Sequence, residues 1–485
     1  MKVAIAYPPL ISEKGVPLLT QNRQFQWFNR PTYIYPVVPA LAATMARQAG
    51  HEVFWMDGIA TEATPEEFAR QLEANAPEVL LLETKTPVVE SHWQYVAELK
   101  RKYPQMIVAM CGDHVTALPE ETLAKCPVDY LLTGGDYDFL LLNLLAALAG
   151  KRPPEQLEAG IWYRTADGVA CNGRFRLDHD LRTLPHIDRE LTQWRLYAEK
   201  NGNFRKTPGT YLMSGRDCWH GKCTFCSWTT LYPTYRTRDP IDVVDEIGEL
   251  IEKYGIQEVM DDTGSFPVGP FLKTFCEEMI RRGYNRRVRI DCNMRFGRLT
   301  EEDFKLMRKA GFRFLLFGLE SANQATLDRL VKALKAEEIE KGARAASRAG
   351  LDVHVTVIFG YPWEGEKEIA NTVALARRLL RKGLASTLQV TQLVPYPGTP
   401  LFRALKENGD LLTEKWSDYD MRTQVMRSGV SEEKIKAAIR SVYRAFLHPE
   451  TIVRRIFSTH DPISDAKFYF RGFLSLLGHL KDFRG

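Results

Sequence analysis

The stretch from Tyr211 to Tyr235, YLMSGRDCWHGKCTFCSWTTLYPTY, places Cys218, Cys223 and Cys226 within nine residues of one another. The apolar run Tyr211-Leu212-Met213 leads into Ser214-Gly215-Arg216-Asp217, which predicts a strand ending in a loop on which the thiolates converge. Three soft ligands on a short loop suit a thiophilic metal or an iron–sulfur cluster. Three rather than four leave one coordination position open, which implies chemistry rather than scaffolding. His220 would be the fourth ligand of a structural zinc site, but it sits between the first two cysteines on a loop too short to wrap easily around one ion. Free surface thiols are a liability. A disulfide framework is not expected from 8 Cys in 485 residues.

A chain of 485 residues is too long for one core, so two or three domains are expected. Its 45% hydrophobic and 26% charged residues are those of an ordinary globular protein. A net charge of +4 is small for this length and argues for neither a nucleic acid nor an acidic surface as partner. The opening MKVAIAYPPL reads directly as a strand without the long apolar region of a signal peptide, and no run of eighteen apolar residues occurs. The expected location is the cytoplasm, where thiols stay reduced.

Residues 1–150 alternate short apolar runs with helical spacing, which predicts a parallel, doubly wound sheet. Thr64, followed by Glu66 and Glu67, reads as a helix start. Ligands of such sheets bind beyond the carboxyl ends of the strands. Those ends carry Tyr7-Pro8-Pro9, Thr84-Lys85-Thr86-Pro87, Gly112-Asp113-His114 and Thr133-Gly134-Gly135. Each alone reads equally well as a tight turn; together they look like a ligand edge. No G-x-G-x-x-G follows the first strand, so a dinucleotide is not expected. Residues 151–206 read as a connector with a hairpin around Ala166-Asp167-Gly168 and no assigned chemistry.

From 207 to 402 six further strand–helix units follow, with the cysteine loop after the first strand. Six units predict a partial barrel with its active site at the carboxyl ends of the strands. Cys218, Asp262, Asn293, Arg295, Glu320 and Gly360 fall at those ends. Each has a plain alternative as a cap or turn residue, but their shared placement is harder to dismiss. Residues 403–485 read as helical. The segment KFYFRGFLSLLGHL, apolar and aromatic with basic flanks, would pack on the barrel or lie at a membrane surface.

The cysteine loop, with Phe225 just before the third Cys, resembles the signature of the radical S-adenosylmethionine (SAM) superfamily, C-x3-C-x2-C with an aromatic in that place; here four residues separate Cys218 from Cys223. Met260-Asp261-Asp262, Asn293-Met294-Arg295, Gly318-Leu319-Glu320-Ser321, Gly360-Tyr361-Pro362 and Val394-Pro395-Tyr396-Pro397 resemble the superfamily's strand ends. The first 150 residues resemble the cobalamin-binding domain that precedes the barrel in one large class of these enzymes. The matching residues are MKVAIAYPP, Pro36 with Pro39-Ala40-Leu41, Gly50-His51-Glu52-Val53 and CGDHVTALPEE. The D-x-H-x-x-G signature is absent, so the resemblance implies cobalamin without a protein histidine on cobalt.

The implied fold is a doubly wound, Rossmann-like cobalamin-binding domain, a partial (β/α)6 barrel and a helical tail. The implied cofactors are a [4Fe–4S] cluster on Cys218, Cys223 and Cys226, SAM, and cobalamin. Phe225, Asp262, Asn293, Arg295, Glu320, Gly360, Tyr361 and Pro395 would meet SAM; Pro36, Thr86, Pro87, Gly112, His114 and Gly134 would meet cobalamin. The implied activity is formation of a 5′-deoxyadenosyl radical and cobalamin-dependent methylation of an unactivated carbon in a small-molecule or peptide substrate, with electrons from a flavodoxin or ferredoxin. Oxidative cyclisation or rearrangement is the second reading, and a non-enzymatic metal- or cobalamin-binding protein the third. A buried Glu320 needs a partner. Either SAM supplies it, with Arg295 meeting the SAM carboxylate, or Glu320 and Arg295 bridge each other.

Overall fold

The computed structural model describes residues 1–451 apart from 20–24, 29–30, 151–152, 167, 203 and 229–232, so the helices expected over 452–457 and 467–480, with their possible membrane contact, lie outside the described residues. The first sheet begins with β1 (Lys2–Tyr7). A two-residue ribbon, β2 (Val16–Pro17) and β3 (Trp27–Phe28), precedes β4 (Glu52–Asp57), β5 (Val79–Thr84), β6 (Ile107–Gly112) and β7 (Tyr130–Leu132). The strand order is β4-β1-β5-β6-β7, all parallel. Every residue of β5 is buried, as a strand covered on both faces must be. The helices are α1 (Val37–Gln48), α2 (Pro65–Asn75), α3 (Val89–Lys102), α4 (Asp113–Ala117), α5 (Pro119–Lys125) and α6 (Tyr137–Leu148). Thr64 caps α2 in a reciprocal box with Glu67.

Two features differ from expectation. Asp113 and His114, read as a turn, form the first turn of α4. The hairpin of the connector, β8 (Ile161–Thr165) and β9 (Gly168–Cys171), joins the first sheet as two antiparallel strands beside β7.

The second sheet has six strands, all parallel and not closed. It starts with β10 (Gly209–Leu212), from which the chain passes through a small antiparallel ribbon, β11 (Gly215–Arg216) and β12 (Arg236–Thr237). It continues through β13 (Glu258–Asp261), β14 (Arg289–Met294), β15 (Phe312–Glu320), β16 (Asp352–Phe359) and β17 (Thr387–Gln392), in that spatial order. The helices Pro240–Tyr254, Pro270–Arg281, Glu301–Lys309, Ala336–Arg348 and Glu366–Arg381 return the chain between neighbours, giving the partial barrel. β15 is longer than its apolar run suggests. Gly318, expected as a turn, lies inside the strand, where the register against β16 shifts between Gly318 and Glu320.

One apolar core runs from the α1/α6 face of the first sheet, through Trp194 and Tyr197 of the connector, into the barrel. A second core on the other face of the first sheet takes in Tyr396, Trp416 and Tyr419, so the chain beyond the barrel folds back onto the first domain. The two domains also meet through buried charge. Arg216 donates to Asp136 (2.7 Å) and to both carboxylate oxygens of Asp138. Arg236 donates to both oxygens of Asp136 (2.7 and 2.8 Å). His179 joins Asp136 to Glu158, each at 2.9 Å.

Burial opposes the charge on His179, but the carboxylates on its two ring nitrogens outweigh it and push its pKa up to about 9. Because the folded pKa is raised above 6.5, the stabilisation is complete below pH 6.5 and is lost as pH rises through about 9. Thermal midpoints measured across this window should therefore fall more steeply for the wild type than for His179→Gln; parallel profiles would remove His179 from the network's energetics.

Candidate active site

The cysteine loop leaves β11 at Asp217, which takes a left-handed conformation (φ 72°) and turns the chain toward Cys218. Before it, Ser214 Oγ and N–H both bond Asp261, and Thr263 N–H donates to the same carboxylate (2.9 Å), tying the loop's start to the end of β13. The loop itself rests on distant backbone. Thr224 N–H donates to Leu330 O (3.1 Å), and Leu401 N–H donates to Thr224 O (2.9 Å). His220 Nε2 lies 2.6 Å from Val331 O, so the ring is engaged with a carbonyl. Among the described residues no three His, Cys, Asp or Glu side chains gather tightly enough to chelate one ion. That is what a mononuclear zinc site would require. A cluster binds each thiolate on a different iron and asks for a wider spacing.

Burial pushes the thiols of Cys223 and Cys226 up; at Cys226 the neighbouring Cys223 and Cys218 add to the shift, whereas at Cys223 the cations Lys332 and Arg295 pull the other way. Three thiols on one loop, with the cations Lys332 and Arg295 beside Cys223, are suited to a ligand that displaces their protons. Arg295 Nη1 lies 3.8 Å from Cys223 Sγ, its Nη2 donates to Lys332 O, and its guanidinium covers Trp219 at 5.2 Å.

Glu320 ends β15 with φ 61°, and its Oε1 meets Lys332 Nζ at 2.5 Å with both side chains buried. Of the two readings of Glu320, the bridge to Arg295 does not form; Glu320 pairs with Lys332 instead, because Arg295 is taken up by the Lys332 carbonyl and Cys223. Lys332 was not foreseen. It stands between Val331 (φ 52°) and Ala333 (φ 49°), two non-glycine residues in a left-handed conformation that costs energy and marks functional segments.

Tyr361, fully buried, stacks on Trp363 (5.6 Å, 24°); its hydroxyl has no hydrogen-bond partner, and the Glu320, Glu364 and Cys223 side chains add to the burial that raises its pKa. Phe225 packs with Tyr361, Ile358 and Leu393 in an apolar floor under the loop. Gly360 is left-handed (φ 95°), and Pro395 is buried beyond β17. Asn293 donates to Thr263 O (2.8 Å), and Asp262, buried, bonds Leu212 O through its N–H (2.8 Å). Cys223, Arg295, Glu320, Tyr361 and Phe225 therefore meet around the cysteine loop, with Asp262 and Asn293 on adjacent strand ends. The buried, unbonded Tyr361 hydroxyl, Ser265 hydroxyl and Gln392 Oε1 leave this edge short of polar partners, as a site for a polar ligand would be.

On the first sheet, the order β4-β1-β5 puts the crevice between the ends of β1 and β5. Glu83 lies there, accepting from the hydroxyls of Tyr7 and Tyr137; burial raises its pKa to about 7. Thr86 Oγ1 lies 3.3 Å from His114 Nδ1, and Pro87 follows in the same turn. Gly112 (φ 119°) passes so close to the Thr84 carbonyl that a Cβ would collide with it, and Gly134 likewise faces the Phe175 ring. His114 is enclosed between Trp93 and Trp416, and burial lowers its pKa to about 4. It braces the edge rather than opening onto it. Pro36 lies apart, at the start of α1.

The Radical SAM superfamily pattern matches residues 212–376, and the B12 binding domain pattern matches residues 29–138. The chain is a radical SAM enzyme with a B12-binding domain. The cofactors of those two domains are SAM with its [4Fe–4S] cluster and cobalamin, and the residues above provide thiols, an unsatisfied polar edge and a switch-point crevice for them. This radical SAM enzyme is 25% identical over 432 residues to an uncharacterized methyltransferase of Pyrococcus horikoshii, covering 88% of this chain and 90% of that one. It is 25% identical over 413 residues to the anaerobic magnesium-protoporphyrin IX monomethyl ester cyclase of Cereibacter sphaeroides, covering 82% and 65%. It shares its fold, with TM-score 0.70 and 16% identity over 91% of this chain and 90% of that one, with the radical SAM methyltransferase TsrM of Kitasatospora setae, solved with cobalamin and a [4Fe–4S] cluster bound.

Glu320→Gln should lower stability by about 3 kcal/mol, since it leaves a buried lysine without its counter-charge. Adding Lys332→Met should recover much of that loss in denaturation experiments. Additive losses would show that the pair does not act as one unit.

Proposed function

We propose that this enzyme methylates an unactivated carbon of a small-molecule substrate. The observation that carries the reading is the three-cysteine loop at the open end of the barrel, held by two arginines against the B12-binding domain. Cys218, Cys223 and Cys226 would hold the cluster. Arg295 and Lys332 place positive charge beside it, favouring anionic groups there. Phe225, Asp262, Asn293, Glu320, Gly360, Tyr361 and Pro395 would form the SAM edge: Glu320 and the Tyr361 hydroxyl for polar groups, Phe225 and its apolar neighbours to keep water out. Thr86, Pro87, Gly112 and Gly134 would line the cobalamin crevice, with His114 bracing it and Pro36 setting the start of α1. When bound, the cluster and SAM supply an organic radical that removes hydrogen from carbon, and cobalamin supplies a transferable methyl group.

The similarity to the magnesium-protoporphyrin cyclase supports oxidative ring closure as a second reading. Among the described residues no helix is long and apolar enough to cross a membrane. The eight cysteines, all free, suit a reducing cytoplasm and a flavodoxin- or ferredoxin-type electron donor.

Anaerobically reconstituted enzyme should bind about four irons and cleave SAM, and changing all three loop cysteines to Ala should abolish both. Product analysis with SAM, cobalamin and reductant separates the readings: transfer of isotopically labelled methyl from SAM to product supports methylation, whereas an oxidised product without label supports cyclisation. A triple variant that still cleaves SAM would overturn the assignment.

A further inference from the structure

Both stems of the cysteine loop end on one carboxylate of the other domain. The chain enters the loop through Arg216 and leaves it through Arg236, which face each other across the β11–β12 ribbon. That ribbon has two residues per strand, far too few to hold itself together in water. Arg216 Nη1 reaches Asp136 Oδ1 at 2.7 Å, while Arg236 takes both Asp136 oxygens at 2.7 and 2.8 Å. Asp138, two residues on, accepts the rest of the Arg216 fork. Phe139 lies between the Arg216 guanidinium (5.7 Å) and the His179 ring (4.2 Å, 11°), so the fork is packed as well as bonded. Arg216, Asp136 and Asp138 are each at most 1% exposed.

Asp136 and Asp138 stand at the start of α6, directly after β7 and its Thr133-Gly134-Gly135 turn, at the carboxyl edge of the B12-binding domain. Arg216 is two residues before Cys218. A short path of bonded groups thus joins the edge of one cofactor domain to the cluster ligands of the other.

Cohesion between the domains does not need this network. The continuous apolar core already joins them, and Trp416, hydrogen-bonded to Glu121 (3.1 Å), fastens the chain beyond the barrel to the first domain. Burying charged pairs gains little stability over apolar packing of the same volume. What bidentate pairs add is direction: a fork on a carboxylate fixes angle as well as distance.

We propose that Asp136, with Asp138, is a positioning residue that sets the cysteine loop against the cobalamin domain. Its role is to fix the geometry between the two cofactors rather than to bind either. This rests on the cofactor assignment above.

The test uses full-length enzyme loaded with cluster and cobalamin, comparing wild type with Asp136→Asn and Asp138→Asn. Iron content, cobalamin content and the thermal midpoint are read first. Then the magnetic coupling between the reduced cluster and cob(II)alamin is read by pulsed electron paramagnetic resonance. The expected result is full cofactor loading with a shifted or broadened coupling, and product formation lowered on the order of 100-fold, as misplacement by about an ångström produces. Wild-type coupling and turnover in a variant that only melts earlier would make the network a structural staple and overturn the proposal. Should Asp136→Asn fail to fold, Asp138→Asn, which leaves both arginines on Asp136, is read by the same criteria. Failure of the wild type to hold either cofactor would instead sink the functional assignment, independently of the variants.

Discussion

The residues from Cys218 to Cys226 form neither helix nor strand, so their shape is set by hydrogen bonds from elsewhere in the chain. Leu330, Val331 and Leu401 supply backbone partners on one side, and Asp261 holds Ser214 on the other. Each of these lies far from the cysteines in sequence: Asp261 ends β13, Leu330 and Val331 follow the short helix Gln324–Arg329, and Leu401 lies in the first turn of the helix Pro400–Glu407. A loop of this length without a regular element would collapse or splay if left alone; here the barrel edge dictates its path. The longer spacing between Cys218 and Cys223 is held in the same way, since His220, which lies in it, is engaged with the Val331 carbonyl.

Charge is handled differently at the two cofactor edges. Around the cluster loop the buried cations Arg295 and Lys332 meet carbonyls, a thiol and one carboxylate, leaving a net positive neighbourhood. At the switch point of the first sheet the buried acid Glu83 is held by two tyrosine hydroxyls, and burial pushes its pKa up to about 7. Between the two edges, the Asp136 network balances three carboxylates against Arg216, Arg236 and His179.

Much of the fold was legible because its signals are local. Apolar runs of strand length alternate with helical spacing, Thr64 and Thr300 each begin a helix with an acid three residues on, and both boxes form. The strand-end residues were legible for the same reason: in a parallel sheet the polar residue after an apolar run must fall at the ligand edge. Lys332 carried no such signal. It lies in the coil between the helices Gln324–Arg329 and Ala336–Arg348, fixed by a left-handed valine and alanine that no propensity would assign there. The pairing of Arg216 with Asp136 and Asp138 was equally hidden, since it joins residues about eighty positions apart. The connector, to which no chemistry was assigned, provides His179 and Glu158 to the same network. Long-range charge pairing has no period, and a single sequence does not display it.

The apolar core that passes unbroken through connector and barrel has a consequence for how such a protein changes over generations. Two domains that each close their own core can be duplicated, lost or exchanged as separate parts. Here a cut through the connector would bare Trp194, Tyr197 and the barrel residues packed on them, and a cut beyond the barrel would strip Trp416 from the first sheet. Each piece would carry exposed apolar surface that the whole chain buries. Separating the two cofactor domains thus carries a cost in exposed apolar surface, whereas a substitution in the loops and strand ends at the barrel mouth alters what is recognised without exposing what holds the halves together.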